Sequence, residues 1–190
     1  NPATMHPTRS ILAAALALIL SGCASQKGPP TTQFDFCPAT PASAQAPAQG
    51  TLGPVVVTDV TGSSALDNER MFYRLSYADP LQARTYANSR WTANPLQLLT
   101  QRFKTRLAQA GARVLSETDA SIGIPLLRID VDEFIQDFGG VSQSTGVVAV
   151  RASVFQGHTL CDQRIVRRAV PASGADAPGG ARALAAGTDA

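Results

Sequence analysis

A chain of 190 residues with 44% apolar side chains has the length and composition of one globular domain with a sizeable core, and not of two. Its formal charge of +2 leaves no electrostatic footprint for nucleic acid. It has two histidines, His6 and His158, so zinc sites, Ser/His/Asp triads and Cys/His pairs all depend on very few positions.

The apolar run from Ile11 to Leu20 follows Arg9 and precedes small residues. It is shorter than the roughly 20 apolar residues of a spanning helix and reads as a secretory signal. It ends in Leu20-Ser21-Gly22-Cys23, which resembles the lipobox of bacterial lipoproteins. There the cysteine thiol takes a diacylglycerol, and cleavage exposes its amine for a third acyl chain. On this reading residues 1–22 are the signal peptide and Cys23 is the lipidated first residue. A buried CH₂ contributes about 0.8 kcal/mol and two chains already anchor stably, so acyl chains on Cys23 hold the protein to a membrane without a spanning helix. Ala24, rather than Asp, follows Cys23, and by the same resemblance this favours the outer membrane. Arg9 is the only charged residue of 1–22, so the remainder carries +1. His6 also leaves with the signal, and all imidazole chemistry then rests on His158. It lies in Gln156-Gly157-His158-Thr159, a hairpin-turn pattern that favours a solvated turn histidine over a catalytic one.

Residues 24–33 and 38–50 are Pro-, Ala- and Gln-containing stretches without apolar periodicity and read as linkers. The first extends by up to about 3.1 Å per residue. Between them Phe34-Asp35-Phe36-Cys37 alternates like a short first strand. The β-branched run Val55-Val56-Val57-Thr58-Asp59-Val60 predicts a strand, as does Met71 to Tyr77, and a polar loop rich in aromatics is expected from there to Trp91. Asn94-Pro95-Leu96-Gln97 opens a helix with Asn94 as N-cap and Pro95 at the first turn. Its apolar stripe is Leu96, Leu99, Phe103, Leu107 and Ala110, with Gln101, Arg102, Lys104, Thr105 and Gln109 mostly off it, and Gly111 is its stop. Arg113-Val114-Leu115 follows as a short strand. From Leu126 to Phe138 the alternation of Leu127, Ile129 and Val131 breaks at Glu133-Phe134-Ile135, which predicts a β-bulge. Residues 146–155 and 159–170 form a hairpin around Gly157, and 179–190 reads as a helix cut short. The fold class is therefore α/β (α+β): one domain, 51–190, with a mixed, mostly antiparallel sheet and helices packed on one face. Before it come the signal, 1–22, and the lipidated cysteine, tether and first strand, 23–50.

Candidate chemistry is sparse. Asp130 and Asp132 share a strand face near Asp137, but metal and glycosidase sites need carboxylates converging from different elements. Arg164, Arg167 and Arg168 form a basic cluster suited to lipid headgroups, an acidic partner, or simple protection of a sheet edge. Gly139-Gly140 lacks the context of a phosphate loop. No catalytic set, metal site or cofactor is therefore assigned. Cys37 and Cys161 remain in an oxidising compartment, either as a disulfide or as two separate thiols. Tyr73, Tyr77, Tyr86 and Trp91 either cover the core or form a partner surface.

The order of these features resembles the ABC-type transport auxiliary lipoproteins that accompany lipid transport systems of the mammalian-cell-entry (MCE) type. The likeness rests on the lipobox cysteine, Phe34-Asp35-Phe36, Gly53-Pro54-Val55-Val56-Val57, Leu66-Asp67, Phe72-Tyr73-Arg74-Leu75 and, above all, Tyr86-Ala87-Asn88-Ser89-Arg90-Trp91 before the Pro95 helix. It covers roughly 34 to 170. The resemblance implies a non-enzymatic periplasmic domain anchored to the outer membrane, with an MCE-domain transport protein as partner and a ring of identical copies as one mode of assembly. A lipoprotein regulator of a periplasmic cell-wall synthase would use the same tether, and a periplasmic hydrolase would have to work through His158.

Overall fold

The computed structural model describes residues 28–36, 52–119 and 122–190. Cys23 and Cys37 lie outside these residues. In chain order the elements are β1 (Thr32–Phe34), β2 (Pro54–Val57), β3 (Thr61–Gly62), β4 (Arg70–Arg74), β5 (Ala83–Trp91), α1 (Pro95–Gln109), β6 (Arg113–Leu115), β7 (Leu126–Gly140), β8 (Gln143–Gln156), β9 (Thr159–Pro171) and α2 (Ala177–Asp189). Thr31–Ala190 forms one compact unit. No helix among the described residues is long and apolar enough to cross a membrane.

All nine strands join one mixed sheet, and β7 is its spine. One edge of β7 pairs antiparallel with β8, from Leu126 opposite Phe155 to Gly140 opposite Gln143, and β8 pairs in turn with β9. Along the other edge three short strands follow one another in parallel. β2 lies beside Leu126 and Leu127, β3 beside Asp130 and Val131, and β4 beside Gln136 and Asp137. The segment from Pro54 to Arg74 thus runs along β7 as a single interrupted strand. β6 extends the sheet beyond β2 in parallel, while β5 pairs antiparallel with β4 and parallel with β1.

The predicted bulge is present, with a register shift between Val131 and Glu133. An extra residue there returns the strand to the same face, so Ile129 and Val131 are followed into the interior by Phe134 and Phe138. Ile129, Val131 and Phe134 join Val148, Leu96 and Leu99 of α1, and Ala181 and Leu184 of α2 in one buried cluster, and Phe138 packs against Tyr73. Trp91 closes it. Its ring stands edge-on to Phe36, centroids 5.5 Å apart, and 5.7 Å from Phe134.

Helix α1 starts where predicted: the Asn94 side chain accepts from the Gln97 amide at 2.9 Å, with Pro95 in the first turn. Gly111, at φ 91°, provides the left-handed stop. The stripe differs from expectation at its C-terminal half. Ala110 is exposed and Arg102 is buried, because the Arg102 guanidinium pairs with Asp189 of α2, which also takes Arg106 at 3.1 Å. An ion pair between helices therefore does what an apolar contact was expected to do. Helix α2 begins two residues before the expected position, at Ala177, with the Asp176 carboxylate accepting from the Gly179 amide at 2.8 Å.

Strand boundaries also depart from the sequence reading, and β4, expected from Met71 to Tyr77, is Arg70–Arg74. The first strand is Thr32–Phe34 instead of Phe34 to Cys37, so Thr32 and Gln33, read as linker, are paired with β5. β2 ends at Val57, and Val60 turns toward α1, its amide donating to Thr100 Oγ1 at 2.9 Å. The expected loop before Trp91 is the nine-residue strand β5, whose mostly exposed, polar sequence lacks a strand-like pattern and takes its conformation from β4 and β1 on either side.

Two substitutions test this packing. Trp91→Ala should lower unfolding free energy by about 3–5 kcal/mol in urea denaturation, as for other large buried aromatics. A methyl group on Gly146 would lie 2.6 Å from the Leu184 amide nitrogen, a backbone atom that cannot give way. Gly146→Ala should therefore cost about 1–3 kcal/mol by pushing α2 off β8.

Candidate docking site

The polar residues singled out from sequence do not converge. Asp130 accepts from the Thr61 hydroxyl, Asp132 pairs with Arg151 at 2.9 Å, and Asp137 accepts from the Ser76 hydroxyl. Each carboxylate is engaged by a different neighbour. Among the described residues no three His, Cys, Asp or Glu side chains are grouped for a metal ion. His158 is exposed in the β8–β9 turn, where Gly157 takes φ 61°. Cys161 is exposed on β9, its thiol donating to the Thr159 carbonyl at 3.6 Å.

Of the basic cluster, Arg164 pairs with its neighbour Asp162, whereas Arg167 reaches across the sheet to Glu133 at 3.4 Å. Glu133 also takes Arg74 at 3.1 Å. This Arg74–Glu133–Arg167 ladder spans the sheet face away from Phe134, with the exposed Ile165 beside it on β9. Such partly exposed pairs contribute little stability. Their effect is to lay charge over β4, β7 and β9 on a face where Ile135, Val147 and Ala149 are buried.

The four aromatics read as one surface separate into three environments. Trp91 is 1% exposed and belongs to the core, which removes it from any partner surface. The physical reason is that it ends β5 just before α1, where its ring packs against Phe36 and Phe134. Tyr77 is 48% exposed at the turn after β4. Tyr73 and Tyr86, on the neighbouring strands β4 and β5, are half-buried with ring centroids 4.7 Å apart, and Tyr73 meets the Phe138 ring edge at 5.8 Å.

Beneath this pair lies a polar network that the sequence reading missed. The Tyr86 hydroxyl donates to Gln136 Oε1 at 2.9 Å, and Gln136 Nε2 donates to Ser144 Oγ at 2.8 Å and to the Asp176 carbonyl at 3.2 Å. Gln136 is 1% exposed, and Gly180 of α2 sits against its amide, where a Cβ would collide. The only sequence signal was a polar residue at a core position of an otherwise apolar strand face. Burial, helped by Tyr73 and then Asp176, pushes the Tyr86 phenol up to about 12.

Next to Tyr86 a cleft of about 1010 Å³ opens beside β5 and the start of α1. Its lining is polar and charged, with Asp67, Glu69, Arg70 and Arg90 at the wall and Asn94 and Gln97 at the helix start. The described part of the molecule therefore offers a β-sheet platform with a charged ladder on one face and a polar cleft beside β5 and the start of α1.

A mixed sheet built on one long strand and two helices sharing a core define a small α/β domain. The profile of the family described as "ABC-type transport auxiliary lipoprotein component" matches residues 34–190, and the chain belongs to that family. A crystal structure of a Xanthomonas campestris protein from the DUF330 family is similar, with TM-score 0.64 and 19% identity over 75% of this chain and 81% of that one. A crystal structure titled only as an uncharacterized protein has TM-score 0.66 and 14% identity over 84% and 92% of the two chains. At these identities the likeness concerns the fold. No curated protein matches the chain.

Tyr86→Phe tests the buried network. It leaves Gln136 Oε1 without its donor and should cost about 1–3 kcal/mol in chemical denaturation. The parent's stability should also fall as pH rises from 10 to about 12, because the unfolded phenol, at 10.0, ionises before the folded one. In Tyr86→Phe that part of the alkaline loss should disappear.

Proposed function

We propose that this auxiliary lipoprotein is a non-enzymatic docking component of an MCE-type ABC transport system that moves lipids or other hydrophobic compounds between membranes. Membership of the transport auxiliary family across 34–190 carries this reading. The N-terminal sequence adds the means: Cys23 takes the acyl chains, the following linker supplies reach, and the domain meets its partner from the periplasmic face of the outer membrane. The partner is the MCE-domain protein that bridges the envelope, and the ATPase and permease that energise transport are separate chains.

The geometry fits docking better than catalysis. His158 stands alone in a solvated turn, and Asp130, Asp132 and Asp137 are held by three separate neighbours. The charged ladder and the long, mostly exposed outer strand β9 instead provide a charged surface of the kind that gives specificity and fast encounter.

In-cell crosslinking followed by purification of the lipoprotein should recover an MCE-domain protein. Recovery of a cell-wall synthase without any MCE protein would replace this reading with the regulator. Cys23→Ser should move the protein from the membrane fraction to the soluble periplasm and abolish transport while near-UV circular dichroism of the folded domain is unchanged. Full transport by the soluble variant would show the anchor to be dispensable.

A further inference from the structure

The cleft beside β5 arises from a break in strand register. Phe72 of β4 faces Thr85 of β5, yet two residues earlier Arg70 faces Arg90. Four residues of β5, from Tyr86 to Ser89, therefore stand against Met71 alone. The excess opens the sheet there, and the opening is the cleft of about 1010 Å³.

This break sets Arg70 and Arg90 directly opposite each other, an arrangement in which like charges repel. Both guanidinium groups line the cleft and are exposed, and neither takes part in an ion pair of the structure. Asp67 and Glu69 line the same cleft and also enter no ion pair. Two cations and two anions thus share one cavity without neutralising each other.

A simple anion would meet the carboxylates, and a simple cation would meet the arginines. A ligand bearing both signs a few bonds apart satisfies all four groups. Guanidinium forks match phosphate oxygens with paired, charge-assisted hydrogen bonds, and an ammonium group is a point donor suited to carboxylates. We propose that this cleft binds a zwitterionic phosphoester, a phosphate carrying a primary amine nearby, with the phosphate on Arg70 and Arg90 and the amine on Asp67 and Glu69. The cavity exceeds such a headgroup alone, so both a free phosphoethanolamine and the same group on a lipid fit its chemistry. The inference goes beyond the docking role and stands without it.

The test uses the full chain in phosphate-free detergent micelles, with guanidinium resonances followed by NMR during titration with O-phosphoethanolamine. Saturable shifts at Arg70 and Arg90 are expected. Arg70→Gln and Arg90→Gln should each weaken binding about tenfold, and Asp67→Asn with Glu69→Gln should abolish the preference for phosphoethanolamine over inorganic phosphate. Micelles doped with phosphatidylethanolamine or with phosphatidylglycerol separate the sources. Shifts with the former only assign a lipid headgroup, and shifts with the soluble compound only assign a free phosphoester. Absence of saturable binding from either source, unchanged affinity in the arginine variants, or equal affinity of the parent for inorganic phosphate would overturn the proposal. All four side chains lie at the cleft wall, and matching circular dichroism spectra check that the variants fold.

Discussion

The structure depends on the fifteen residues of β7 being paired along both edges. On one side β8 supplies a continuous antiparallel partner. On the other, β2, β3 and β4 must arrive in sequence and in parallel, each bonding to two residues of β7. Short parallel pairings are weak individually. They persist because the long β7–β8–β9 antiparallel ribbon presents a preformed edge, and because the segments between them are fastened elsewhere. Val60 is bonded to Thr100 of α1, and Leu66 and Met71 are buried in the core.

The bulge near Asp132 couples this pairing to the two faces of the sheet. Without it, Phe134 and Phe138 would point to the side that carries Glu133 and its two arginines. With it, one face collects the aromatic and helical core, and the other keeps the Arg74–Glu133–Arg167 ladder. Gln136 is the exception on the apolar face, and the structure answers it in full: both ends of its amide are bonded, and Gly180 lets α2 come close enough to supply a carbonyl at 3.2 Å. A satisfied polar group of this kind fixes where α2 sits more narrowly than apolar contact does.

The same logic places the functional surfaces. β1 is the described element nearest to Cys23 in the chain, and it is held by parallel pairing to β5 and by Phe36 against Trp91 and Phe134. β9 forms the edge of the sheet on the far side of β7 from β1 and β5.

Features set by local chemistry were legible in the sequence alone. They include the Asn94-Pro95 start and Gly111 stop of α1, the Gly157 turn, and the bulge announced by a parity break in an apolar alternation. Tyr86-Ala87-Asn88-Ser89-Arg90-Trp91 ahead of the Pro95 helix carried the resemblance to a family to which the chain does belong. Only the tertiary structure decided that Ala83–Trp91 is a strand, that Arg102 is buried, that Trp91 is core rather than surface, and that Arg70 meets Arg90. Each of these depends on a partner distant in the chain: Met71 and Thr32 beside β5, Asp189 for Arg102, and Phe134 for Trp91. Periodicity and capping report what a segment does with its own neighbours, and they are silent about contacts formed only when β7 brings remote segments together.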